Sequence, residues 1–70
     1  MTYVVIYEKG ATSWGAYLPD LPGVIAAGES KEEVQTLIRK AALMQISTLR
    51  AEGLPVPEPA SVAGELEIPR

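Results

Sequence analysis

The stretch "AYLPDLPGVIAAGES", residues 16–30, decides the fold. It places two prolines and a glycine (Pro19, Pro22, Gly23) around Asp20, between two apolar runs, and it ends at Ser30. Proline fixes φ and removes a backbone donor, while glycine takes the positive φ that other residues resist. "PDLPG" is therefore a break in regular structure, and Asp20 reads as a turn former. Before the break, "SWGAYLP" (13–19) alternates Trp14, Ala16 and Leu18 against Gly15 and Tyr17, the pattern of a strand. After it, "VIAAGE" (24–29) is short and apolar and fits a third strand, which Gly28 ends or kinks.

Working outward, "TYVVIYE" (2–8) is rich in β-branched and aromatic residues and reads as the first strand. The short "KGATS" (9–13) joins it to the second as an antiparallel hairpin. Tyr3, Val5 and Tyr7 share one face of that strand and Val4 and Ile6 the other, so both faces call for cover. On the C-terminal side, Ser30 and Glu33 form an S-x-x-E capping box, and Glu32 and Glu33 suit the positive end of a helix dipole. Val34, Leu37, Ile38 and Ala41 recur at helical spacing, and Ala42, Ile46 and Leu49 continue the stripe. Gln45 falls near the middle of it, which nothing in the pattern explains. The helix is expected to end near Glu52, with Gly53 as its stop and Pro55 beyond. "LPVPEPAS" (54–61) reads as a surface crossing, and "ELEIP" (65–69) as a short fourth, edge strand that Pro69 stops. The expected class is α+β in the order β-β-β-α-β, a three-stranded antiparallel sheet with one long helix on one face and a short fourth strand, all in one domain spanning residues 1–70.

Composition narrows the chemistry. Of 70 residues, none is cysteine and none is histidine. That removes disulfides and thiolate metal sites, and it argues against structural zinc, histidine-based proton transfer and Cys or Ser-His nucleophilic chemistry. Of the nine carboxylates, Glu32 and Glu33 are better explained by helix capping, Asp20 by a turn, and Glu65 and Glu67 by the wet face of an edge strand, while Glu8 closes the first strand; no phosphate loop or nucleophile motif occurs. The reading is no catalytic residue, no metal, no cofactor and no enzyme. The net charge is −3 with six scattered basic residues, which disfavours binding to nucleic acid. The N-terminus lacks a signal-peptide pattern and no run reaches membrane-spanning length, so a cytoplasmic location is expected.

A domain this short has little core to spare, and oligomerisation is the remaining staple. One helix covers one face of a sheet. If Val4 and Ile6 face the helix, then Tyr3, Val5 and Tyr7 need a second subunit, a partner, or the proline-rich tail folded back over them. Together with Trp14, Tyr17 and Leu43, which lies opposite the main helical stripe, they make up the candidate interface, since Tyr and Trp anchor interfaces.

With these pieces in order, the chain resembles the HicB-like antitoxin family. The resemblance rests on Leu18-Pro19-Asp20-Leu21-Pro22-Gly23, then Gly28-Glu29-Ser30 at the right distance, then an amphipathic helix, then Gly53, Pro55 and Pro57. It covers nearly the whole chain. It implies a cut-down RNase H-like fold without RNase H activity, and a HicA-type toxin as partner: a small, basic, RNA-cleaving protein that uses a histidine. This chain, acidic and without histidine, has the character of the neutraliser. Many members continue into a DNA-binding domain, which is not expected of a chain that stops at Arg70. Two readings follow: an antitoxin-type domain that covers a toxin, or an orphan structural oligomer, homodimeric or higher, with no cognate toxin. A vestigial RNA-binding or nuclease domain is a remote third.

Overall fold

A computed structural model describes all 70 residues. It contains β1 (Ile6–Lys9), β2 (Trp14–Tyr17), β3 (Ile25–Gly28) and α1 (Lys31–Ala51) in that order. The strands form an antiparallel meander, β1-β2-β3, so β1 and β3 are both edges. The first hairpin is closed by the Gly10 N–H donating to the Ser13 carbonyl at 2.8 Å.

The "LPDLPGV" segment resolves into two consecutive turns. The Leu21 N–H donates to the Leu18 carbonyl at 3.2 Å, and the Val24 N–H donates to the Leu21 carbonyl at 3.3 Å. Pro19 and Pro22 each occupy the second position of a turn, where their fixed φ fits. Gly23 follows at φ +87°, as a type II turn requires. Leu21 is the shared corner, and its side chain is 1% exposed. The turn is thus also a plug for the core.

β1 is shorter than the sequence pattern. Pairing was expected from Thr2, and it begins at Ile6. The reason lies in the partner strand. Leu18 donates its N–H to Val24, toward β3. Antiparallel alternation therefore turns the next residue, Pro19, toward β1, and proline has no N–H to offer. The ladder stops at Ile6 opposite Tyr17.

Register assigns the faces. Tyr7 lies opposite Ala16, and Ala16 opposite Ala26. With period-two alternation, Tyr3, Val5, Tyr7, Trp14, Ala16, Leu18, Val24 and Ala26 share one face. That is the helix side: Ala16, Leu18, Leu21, Val24, Val34 and Ile38 form the buried core, and Tyr3, Val5, Tyr7 and Trp14 pack around it. The conditional placement of Val4 and Ile6 under the helix is therefore inverted; they face the other way.

α1 is capped at both ends. Ser30 Oγ accepts from the Glu33 N–H at 3.1 Å. The Glu33 carboxylate folds back to accept from the Glu29 N–H at 3.3 Å, one residue before the usual capping-box partner. Gly28 leaves it room, because a Cβ there would collide with that carboxylate. At the C-terminus the Gly53 N–H donates to the Arg50 carbonyl and the Leu54 N–H to the Leu49 carbonyl, with Gly53 at φ +70°, which is a Schellman motif. The helix lies over β2 and β3. Leu37, expected in the core stripe, is exposed on its flank, and Gln45 is half-buried.

The expected fourth strand does not form. The sheet has three strands, and residues 54–70 hold no regular structure. Leu66 and Ile68 are 84% and 68% exposed. A strand needs a partner edge, and this segment, which carries the alternation of a strand, lies against none.

Candidate interaction surfaces

Two apolar surfaces remain without full cover, and a hydrogen-bonded latch lies beside them. The first surface is the sheet face turned away from α1. Ile6, Tyr17, Ile25 and Ala27 occupy it by register, and Val4 falls on the same side where the alternation of β1 is continued back from Ile6. Ile25 is 72% exposed and Tyr17 39%. The only charge the strands place on this face is the carboxylate of Glu8. The cations nearby are drawn to the opposite side: Lys9 lies over the Trp14 ring at 5.9 Å and Lys31 over the Tyr7 ring at 5.3 Å.

The second surface is a groove of about 550 Å³ on the helix side. Because α1 lies over β2 and β3, β1 is left at its margin. Tyr3, Val5 and Tyr7 form one wall, and Ile38, Ala42 and Ile46 the other. Leu43, 57% exposed, also lines it. Arg39 and Arg50, both exposed, contribute its charge, and no carboxylate lines it.

The latch joins the "PDLPG" turn to the chain after the helix. Asp20 Oδ2 accepts from the Ala60 N–H at 2.9 Å and the Ser61 N–H at 2.7 Å, and Oδ1 accepts from the Ser61 hydroxyl at 2.8 Å. The Tyr3 hydroxyl donates to the Pro57 carbonyl. The tail thus crosses the open end of the sheet, from the lead-in of β1 to the β2–β3 turn. Donation from the Ser61 backbone, then from the Ala60 backbone and the Ser61 side chain, holds the Asp20 carboxyl below its ordinary value; burial opposes this more weakly.

The six candidate interface residues divide accordingly. Tyr3, Val5, Tyr7 and Leu43 come together in the groove. Trp14 is half-buried on the same face and lies outside it. Tyr17 lies on the opposite face. Ile25 was missed, although the alternation of Val24 against Ile25 carries the signal: with Val24 inward, Ile25 points out. Asp20 was read as a turn former only. Its second role joins residues 40 and 41 positions apart, and no local pattern reports that.

The model of a protein family described as the HicB-like antitoxin of bacterial toxin–antitoxin systems matches residues 3–69. The chain belongs to the HicB-like antitoxin family. No curated protein and no solved structure gave a match. As a HicB-like antitoxin, the chain has a toxin as its kind of partner. The turns of "LPDLPG" and the capped start of α1, which carried the resemblance, are the parts that set the sheet and helix against one another. No helix is long and apolar enough to cross a membrane.

Proposed function

We propose that this antitoxin neutralises a small, basic, RNA-cleaving toxin of the HicA type by direct binding, without catalysis of its own. The observation that carries this reading is the uncovered sheet face. It combines exposed Ile25 and Tyr17 with the Glu8 carboxylate and no cation from the strands. An apolar centre with a carboxylate at its margin complements a basic, partly apolar surface. The net charge of −3 acts in the same direction over longer range, steering a cationic partner toward the domain. Covering the toxin's RNA-cleaving surface would then be a matter of occlusion.

The test is co-expression with histidine-containing toxins of this type, together with direct titration of the purified pair. Growth rescue by the parent chain is expected. Ile25→Asp and Tyr17→Ala should each weaken binding about tenfold or more, a loss typical of an apolar or aromatic anchor. Helix content should be unchanged, since both residues lie outside the buried core. Failure of the parent to bind any such toxin, or variants that bind as the parent does, would overturn the proposal.

A further inference from the structure

The apolar groove and the free tail are two unsatisfied features of one chain. The groove offers Tyr3, Val5 and Tyr7 at successive i, i+2 positions of an extended segment, facing Ile38, Ala42 and Ile46 of α1. The tail offers Leu66 and Ile68 at the same i, i+2 spacing, 84% and 68% exposed, with Val62 at 91%. In an extended chain that spacing puts Leu66 and Ile68 on one side and Glu65 and Glu67 on the other. The charges also complement each other: the groove carries Arg39 and Arg50 and no carboxylate, and the tail carries two carboxylates beside its apolar pair.

Within one chain the two features stay apart. Asp20 fixes Ala60 and Ser61 at the β2–β3 turn, after the tail has already passed the Tyr3 end of β1. The molecule measures 49 × 27 × 16 Å, and its 21-residue helix is about 32 Å long. Residues 62–70 are exposed throughout.

We propose that the groove between β1 and α1 receives the C-terminal segment, residues 62–69, of a second copy of this chain, and that the exchange is reciprocal about a two-fold axis. Leu66 and Ile68 enter the floor beside Val5 and Tyr7, while Glu65 and Glu67 remain at the mouth near Arg39 and Arg50. Reciprocity matters because a two-fold contact covers both grooves and both tails at once. The latch at Asp20 directs the tail away from its own groove, so that exchange between copies is favoured over closure within one. A basic toxin is the wrong occupant for a groove whose only charged side chains are two arginines, and the outer sheet face stays free for it.

Sedimentation equilibrium at micromolar concentration should give twice the 7.5 kDa chain mass. Combined Leu66→Asp and Ile68→Asp substitution should return the mass to one chain with helix content unchanged, because neither side chain belongs to the core. Ile25→Asp, on the other sheet face, should leave the dimer intact. The chain has no cysteine, so single Val5→Cys and Ile68→Cys copies can be mixed and oxidised. A mixed-copy disulfide is expected. A monomeric parent, a dimer indifferent to both tail substitutions, or a disulfide that forms only when both cysteines are in one copy would each overturn the exchange.

Discussion

Leu21→Ala tests whether the "LPDLPG" turn is a structural plug as well as a bend. Leu21 is the shared corner of two turns and is 1% exposed, inside a core of only six buried residues. Truncation removes the apolar contacts and leaves a cavity that the flanking prolines, with their fixed φ, relax poorly to fill. Such changes cost about 2–5 kcal/mol. A chain of this length has roughly 3.5–10 kcal/mol in total, so the loss is a large fraction of its stability. Urea unfolding followed by the fluorescence of Trp14, the sole tryptophan, reads it directly. With a slope near 1 kcal/mol per molar for so small a domain, the midpoint should fall by about 2 M or more. Parent and variant are compared at one protein concentration, because association raises apparent stability. Met44→Ala, on a helix residue 71% exposed, serves as the control and should cost less than about 0.5 kcal/mol. A Leu21→Ala loss below about 1 kcal/mol with an unchanged slope would refute the plug.

Ser30→Ala removes the acceptor for the Glu33 N–H and should cost about 0.5–2 kcal/mol, which for a domain of this size lowers Tm by several degrees; an unchanged melting curve would mean the cap bond contributes nothing. Gly28→Ala should displace the Glu33 carboxylate from the Glu29 N–H, and in amide NMR the Glu29 resonance should move while the Ser30 cap signature at Glu33 persists. Asp20 is held below the ordinary carboxylate value, so its contribution to tail docking is present above that value and lost as pH falls through the depressed one. The Ser61 and Ala60 amide shifts should therefore titrate together below the usual carboxylate range. A midpoint at the ordinary aspartate value would show that the latch does not hold in solution.

The local elements were legible because their determinants are local. Two prolines, a glycine at the position needing positive φ, a capping box and a Gly53 stop specify turns and helix ends within a few residues, and the strands and helix follow them. The family was legible for the same reason, since its signature is that sequence of turns and caps. Three things were decided only by tertiary structure. The length of β1 depends on which neighbour Leu18 bonds, since that alone turns Pro19 toward β1 and ends the ladder at Ile6. The inward face of β1 depends on the same register: both of its faces are apolar, so its own sequence could not say that Tyr3, Val5 and Tyr7 lie beneath the helix side while Val4 and Ile6 lie outside. The tail depends on Asp20, whose partners Ala60 and Ser61 are remote in sequence. Alternation in "ELEIP" announces a strand, but a strand exists only where another edge meets it, and the six-residue core, the latch and the groove together determine where that edge can be.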